Sequence, residues 1–407
     1  MRRPLANGFV TRCAACWPTV PARCIDAMRA IVLGTQSFID GGTKVGSQHL
    51  AHALAAAGWS VDYVPTLSSP LDVVGRQRHA RLARAWGHGM PQRAVGISQG
   101  LTEWSLQSMF PAHRLFLRWP WQLAAYGQRC PSPLRDVPFD ACIADVAPNM
   151  LLLHQITARA KICRLNDWPQ GFARDLHPVL INALGSMVGG PDFDEVWAVS
   201  EPLVEYARAL NPQGEVVHIP NGVEARLLMP ATQIPVARQP RSAVYVGGLT
   251  AWLDTGLLAQ AARLLPDWTF AVYAPGTPPQ HGWPPNLQWR GSVGRAELPA
   301  VLQSHEVGLI PFCEADGRMR YVERPLKFYE YIAAGLGVAS TDLGALRHGM
   351  GDLACYGNDA RTFADAIVQA REQAQVRPAS FAKDFVRAHD WGTRAQTMLA
   401  RLEMLLA

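Results

Sequence analysis

The sequence predicts two parallel α/β domains in tandem with a ligand site between them. Three observations carry this. Short β-type apolar runs alternate with helical stretches from Met28 to the C-terminus. A patternless segment with Pro230, Pro235 and Pro240 divides the series near its middle. Each half opens on a strand that runs into a glycine turn, Gly41-Gly42 in the first and Gly247-Gly248 in the second.

Composition agrees. The chain has 407 residues, 49% hydrophobic and 17% charged, enough to build two large cores and too apolar for disorder. Its 8 cysteines are scattered and several sit inside apolar runs, which fits a reduced cytoplasmic protein better than a disulfide scaffold. No run approaches the ~20 apolar residues that cross a bilayer, so a soluble protein is expected. A net charge of +5 is too mild to indicate a nucleic-acid binder. Residues 1–27 have no apolar period and no uninterrupted signal-peptide core, and read as a poorly patterned extension. Cys13, Cys16 and Cys24 supply three thiols where a structural zinc takes four ligands, so no metal is expected.

The first domain spans 28–226. Ala30–Leu33 is a buried strand, followed by the glycine turn, an amphipathic helix at Gln48–Ala57 stopped by Gly58, and the strand Ser60–Val64. Further units are the strand Phe139–Asp145, a helix at Met150–Arg159, the strand Lys161–Leu165, a helix at Pro178–Val188, the strand Asp194–Ser200 and a helix at Pro202–Leu210. Val216–Pro220 closes the half, and 227–241 is the linker. The second domain, 242–390, runs through strands at Ala243–Gly247, Trp268–Ala274, Leu287–Gly291, Val307–Pro311 and Gly337–Thr341. Helices are expected at Asp254–Leu264, Ala296–Gln303, Leu326–Ala334, Asp359–Gln373 and Thr393–Leu406, and the last, within 391–407, should pack back on the first domain.

Three stretches carry chemistry. In Arg324-Pro325-Leu326-Lys327-Phe328-Tyr329-Glu330, proline opens a helix whose N-terminus favours an anion, and Lys327 in the first turn can meet a diphosphate. Glu330, one turn on, is placed to accept from a ribose diol. The plain alternative is an i, i+3 surface pair worth about 0.2–0.5 kcal/mol. Gly247 and Gly248 free backbone amides for phosphate oxygens, and Gly291-Ser292 ends a strand where backbone groups can meet a base.

In this order the blocks resemble a GT-B glycosyltransferase, two Rossmann-like domains facing across a cleft, with the nucleotide sugar on the C-terminal one. Val196-Trp197-Ala198-Val199-Ser200, Pro220-Asn221-Gly222-Val223 and a last helix opened by Trp391 extend the resemblance over most of 30–405. The nearest pattern is that of GumK-type glucuronosyltransferases of exopolysaccharide assembly, whose lysine-bearing helix resembles Pro325–Gly335 and whose Arg-x-x-Asp resembles Arg164-Leu165-Asn166-Asp167. The resemblance implies donor contacts from Lys327, Glu330, Arg324, Gly247, Gly248, Gly291 and Ser292, and Asp167 as the general base of an inverting transfer. It implies a UDP-linked donor, with UDP-glucuronate foremost, and no metal or cofactor. The plain alternative for Asp167 is a cap on the turn before Trp168-Pro169. Retaining GT-B enzymes place seven residues between two glutamates here, whereas Glu323 and Glu330 have six between them, which favours inversion and leaves retention as the alternative.

The acceptor side offers Gly41, Gly42 and Lys44 in the first glycine turn and His49 on the helix after it. Between Arg76 and Arg135 stand nine arginines and one acid, Glu103, interleaved with Trp86, Trp104, Trp119 and Trp121. That composition suits a peripheral anchor on anionic lipid at the inner face of the plasma membrane, where a lipid-linked or saccharide acceptor would be met. A diphosphate-lipid site, RNA stacking or a solvated arginine-rich face are the other readings. An epimerase would draw on His49, His52 and His154, and a non-catalytic scaffold would have lost Lys327 and Glu330, both of which are present.

Overall fold

The computed structural model describes residues 28–39, 45–71, 93–128, 130–228, 237–277, 282–314 and 316–407. Gly41, Gly42 and Lys44, the three N-terminal cysteines, Trp86 and the arginines at 76, 78, 81, 84 and 129 lie outside the described residues.

The first lobe contains β1 (Arg29–Leu33), α1 (Gly46–Ala56), β2 (Ser60–Val64), β3 (Arg93–Ser98), β4 (Leu101–Ser105), α2 (Pro120–Gly127) and α3 (Ser132–Arg135). It continues through β5 (Phe139–Asp145), β6 (Ala158–Leu165), α4 (Pro178–Val188), β7 (Glu195–Ala198), α5 (Glu201–Ala209) and β8 (Glu215–His218). The strands pair in the order β3-β4-β2-β1-β5-β6-β7-β8. All neighbours are parallel except β3, which runs antiparallel to β4. Central strands of such a sheet are covered on both faces and read as continuous apolar runs, as Ala30-Ile31-Val32-Leu33 does, with every side chain at most 1% exposed.

The second lobe contains β9 (Ser242–Val246), α6 (Thr255–Leu264), β10 (Thr269–Tyr273), β11 (Leu287–Gly291), α7 (Leu298–Gln303), β12 (Val307–Ile310), α8 (Leu326–Ala333), β13 (Gly337–Ser340), α9 (Gly344–Met350), β14 (Cys355–Tyr356) and α10 (Ala360–Gln375). Its strands are all parallel, in the order β11-β10-β9-β12-β13-β14. Two helices follow, α11 (Phe381–His389) and α12 (Trp391–Leu406).

The second lobe has one core, and the first has one on each face of its sheet. Met398 and Leu402 of α12 belong to a first-lobe core with Ala30, Leu50 and Trp197. Arg401 of α12 also donates its Nε to both carboxylate oxygens of the buried Glu195, at 3.0 and 3.2 Å, while Trp197 Nε1 donates to the same carboxylate at 2.7 Å. The end of the chain is therefore fastened to the lobe in which the chain begins.

Three local expectations change. The helix expected over Met150–Arg159 is a 3-10 helix at Pro148–Gln155, and β6 starts at Ala158. Met150 to Leu153 are all buried, so this run has no solvent face to give it an amphipathic α period. Arg159 is instead drawn into the strand beside Asp140, 3.3 Å away. The hairpin β3–β4 was hidden under the charge pattern of 76–135, and Gly100 supplies its positive φ of 75°. Helix α11 was not anticipated between the two C-terminal helices.

Candidate functional site

Both lobes present the carboxyl ends of their strands to the junction, which is where open α/β sheets bind ligands. Lys327, in the first turn of α8, places its ammonium 4.7 Å from the Tyr245 ring centre and 4.6 Å from that of Phe312. Tyr245 comes from β9 and Phe312 from the loop after β12, so three segments converge on one amine. No carboxylate pairs with it among the described residues, and burial pushes its pKa down to about 8. A β-carbon at position 247 would lie 3.1 Å from Lys327 Nζ and 3.0 Å from the Tyr245 hydroxyl, which explains glycine at that turn. The Tyr245 hydroxyl donates to the Gly248 carbonyl at 2.9 Å and fixes the turn beside the amine. Pro325, which caps α8, gives no side-chain acceptor to the first amides of the helix. A cation with no carboxylate partner among the described residues, a glycine turn and helix amides that no side chain caps are together suited to an anion.

Glu330 lies one turn along α8, and it is no surface pair with Lys327. Its Oε1 accepts from Arg295 Nη1 at 2.7 Å, and Arg295 Nη2 lies 3.3 Å from Glu224 Oε2. Glu224 Oε1 in turn lies 3.3 Å from His49 Nδ1, and the His49 ring stacks on Trp391 at 4.7 Å. Burial raises the pKa of Glu330, and Arg295 and Lys327 pull it back. His49, an acceptor-side candidate on α1, is thus joined through Glu224 and Arg295 to a donor-side carboxylate in the other lobe.

Asp167 follows β6 at the same junction. Its Oδ1 accepts from the Trp168 amide at 2.9 Å, so it does cap its own turn. The same oxygen lies 3.9 Å from Arg318 Nε, across the lobe boundary. Burial raises the Asp167 pKa, and Arg318 and the Trp168 amide oppose the rise. Arg318 itself donates to the Gly171 carbonyl and sits over the Phe172 and Trp252 rings. Beside it Trp168 stacks on Tyr321 at 4.9 Å, and Ser200 Oγ donates to the Tyr321 carbonyl at 2.7 Å. Deeper in the first lobe, Asp145 and Arg164 form a buried pair at 2.9 Å, and Arg164 Nη2 reaches the Asn221 side chain at 3.1 Å. A β-carbon at Gly46 would lie 2.1 Å from Arg164 Nη2, so the N-terminus of α1 closes down on this guanidinium.

The structure does not gather every candidate. Arg324 turns its Nε to the Gly349 carbonyl at 2.6 Å. Gly291, with φ of 72°, ends the edge strand β11, and Ser292 follows it. Glu323 is buried, and its Oε1 has no hydrogen-bond partner among the described residues. No group of three metal-ligating side chains occurs among the described residues. Sequence reasoning missed Arg295, Glu224, Arg318, Tyr245 and Phe312. Arg295 stands three residues after Ser292 in a short polar loop, and nothing local marks it.

In the basic stretch, Glu103 is buried and accepts from Ser37 Oγ at 2.5 Å and from the Phe38 amide at 2.6 Å, so the lone acid is a structural tie. Arg135 is paired with Asp136 at 2.8 Å. Arg114 and Arg118 are exposed, and near them Leu115, Trp119 and Trp121 are 56%, 58% and 60% exposed. No helix among the described residues is long and apolar enough to cross a membrane.

Comparison with known proteins agrees with this geometry. The family model described as "Glycosyl transferases group 1" matches residues 240–373, which takes in β9 to β14, most of α10, and Tyr245, Phe312 and Lys327. The "Putative teichuronic acid biosynthesis glycosyltransferase TuaH" of Bacillus subtilis (strain 168) is 30% identical over 151 residues, 34% of this chain and 38% of that relative. Among solved structures, the α,α-trehalose-phosphate synthase (UDP-forming) from Burkholderia vietnamiensis superposes with a TM-score of 0.64 at 14% identity, covering 94% of this chain and 98% of that one. Anabaena Alr3699/HepE, solved with UDP and glucose, gives 0.59 at 12% identity over 93% and 100%. These structural likenesses extend over both lobes: the chain has the GT-B fold, two Rossmann-like lobes of which the second matches the group 1 glycosyl transferases.

Proposed function

We propose that the chain is a glycosyltransferase that takes a sugar from a nucleoside diphosphate donor, UDP foremost, and passes it to a lipid-linked or saccharide acceptor in cell-envelope or exopolysaccharide synthesis. The observation that carries this is Lys327, an ammonium with no carboxylate partner among the described residues, beside a glycine turn and the end of α8 that no side chain caps. A diphosphate there meets a cation, free backbone amides and a helix N-terminus at once. The group 1 match over the same pocket and the transferase named in the Bacillus relative's description support the reading.

In the reaction, an acceptor hydroxyl attacks the anomeric carbon and the bond from that carbon to the diphosphate oxygen breaks. The hydroxyl proton passes to Asp167, and the charge gathering on the departing nucleotide is offset by Lys327 and the α8 amides. This is an inverting displacement. UDP-glucuronate is the donor that the GumK-type resemblance points to. A thermal-shift screen across UDP-, GDP- and TDP-sugars tests the donor site, because a ligand at 100 times its Kd adds roughly 2.7 kcal/mol of stability. Stabilisation by UDP and its sugars is expected, and a flat screen would remove the reading. The anomeric configuration of the product tests inversion.

The exposed Trp119 and Trp121 beside Arg114 and Arg118 support a peripheral station on anionic lipid at the cytoplasmic face, where the acceptor is presented to the cleft. Trp119 and Arg118 are held in place because both backbone amides donate to the Gln122 side chain, at 3.3 and 2.8 Å.

A further inference from the structure

The Arg295 guanidinium spans two carboxylates that belong to different parts of the molecule. On one side it meets Glu330 of α8 at 2.7 Å, and on the other Glu224, which follows the first lobe and pairs with His49 of α1. Arg295 is rooted in the loop between β11 and α7, and its side chain is 18% exposed. A carboxylate that has lost most of its water is ionised only where cations replace that water, and a charged donor bonded to one of its oxygens sets which oxygen faces the ligand. Arg295 does both for Glu330. Its Nη1 occupies Oε1, and no hydrogen bond from another described residue reaches Oε2, which leaves one oxygen for a ligand.

We propose that Arg295 is a positioning residue for the donor: through its bond to Oε1 it holds Glu330 ionised and turned so that Oε2 receives the ribose hydroxyls, and Glu224 anchors it in that place. This rests on the nucleotide-sugar reading and deepens it. Arg295 touches no ligand itself. Three further facts fit. Lys327, the other cation near Glu330, is engaged with the Tyr245 and Phe312 rings and donates no hydrogen bond to Glu330 among the described residues. A lysine at 295 would keep one charged contact and lose the fork that reaches both carboxylates. His49, stacked on Trp391, braces Glu224 from the far side, so the chain of contacts ends on a fixed ring and not in solvent.

The test reads the worth of the ribose hydroxyls. The Kd of UDP and of 2′,3′-dideoxy-UDP is measured by calorimetry for the wild type and for R295M, R295K and E330Q, each checked for an unchanged melting profile. Loss of hydrogen bonds to a charged acceptor is expected to weaken the dideoxy nucleotide about 10- to 100-fold in the wild type. In R295M the penalty should shrink to about threefold, and R295K should restore part of it. A residue that merely supports the fold would weaken both nucleotides alike and leave their ratio intact. If E330Q abolishes the penalty and R295M keeps all of it, Arg295 does not position Glu330 and the inference falls while the donor reading stands. A wild type that binds neither nucleotide, or one whose penalty survives in E330Q, overturns the assignment of Glu330 to ribose and the inference with it.

Discussion

Replacing Lys327 by methionine should separate binding from folding, because the structure makes this ammonium costly when no ligand is present. It lies between two aromatic rings without a carboxylate partner among the described residues, and its pKa falls from 10.5 to about 8. That drop corresponds to roughly 3 kcal/mol against the protonated form in the folded chain, an upper value for a side chain that keeps some exposure. The sign follows. A depressed lysine pKa means that folding is opposed while the amine is charged, below about pH 8, and the penalty fades as pH rises toward 10.5. Methionine keeps the length and removes the charge, so K327M should melt at or above the wild-type temperature at pH 7. UDP binding should nonetheless weaken about 10- to 100-fold, the worth of a hydrogen bond to a charged group. In the wild type, UDP affinity should fall about tenfold between pH 7 and pH 9 as the free amine loses its proton, and K327M should show no such slope. Calorimetric titration at the two pH values reads both effects. Equal UDP affinity in K327M and wild type, or a pH slope that survives in the mutant, would falsify the assignment of the diphosphate to this amine.

Three more outcomes are expected. Asp167→Asn keeps an acceptor for the Trp168 amide, so donor binding and melting should hold while turnover falls ~10² or more; wild-type turnover would leave Asp167 a cap alone. Arg401→Ala strands the buried Glu195 with Trp197 as its one side-chain partner among the described residues and should cost about 3 kcal/mol, seen as a clear drop in melting temperature, with UDP affinity unchanged; an unaltered melt would mean that α12 is held by Met398 and Leu402 without the ion pair. Wild-type protein should sediment with anionic vesicles at low salt and less as salt rises, and a variant with Arg114, Arg118, Trp119 and Trp121 changed to serine should remain in solution; equal pelleting by both would assign that face to solvent.

Much of the fold was legible because parallel α/β sheets write themselves into short windows. Buried central strands such as Val307–Ile310 are runs of apolar residues, and helix ends are marked by residues with a local reason to be there, as with Asp254 before α6 and Gly335 after α8. Lys327 was readable as a candidate for the same cause, since proline, lysine and glutamate share one helical turn and a half. What the sequence could not give is who stands opposite. Arg295 meets Glu330 across 35 residues and Arg318 meets Gly171 across 147, and neither arginine sits in a pattern. The 3-10 helix at Pro148–Gln155 was misread because its first six residues, Pro148 to Leu153, are all buried and carry no period to distinguish one helix from another. The β3–β4 hairpin was obscured by the arginines around it, whose charge speaks of the surface and not of the backbone.

The placement of unsatisfied groups shows where stability has been given up. Among the described residues, buried polar atoms without a hydrogen-bond partner include Arg295 Nε and Arg318 Nε at the lobe junction and Asp145 Oδ2 and Arg164 Nε deeper in the first lobe, with Asn149 Oδ1 and His218 Nε2 among those elsewhere. In a settled interior such atoms are rare. Here they accompany an ammonium and two carboxylates whose charged forms burial disfavours, Lys327, Glu330 and Asp167. The two lobes share the load unequally. The amine, its glycine turn and its aromatic walls all belong to the second lobe, so a diphosphate can be held there without help from the first. Asp167 belongs to the first lobe, and the Arg318 contacts, the stacking of Trp168 on Tyr321, the Ser200–Tyr321 hydrogen bond and the Arg295–Glu224–His49 chain join its surroundings to the other side. Under the proposed roles, a nucleotide docks on the second lobe alone, whereas proton transfer to Asp167 needs both lobes in register. Charges fixed in advance and poorly solvated are what a displacement needs at its transition state, and they are tolerable in the resting chain because the cores on either side of the cleft carry its stability.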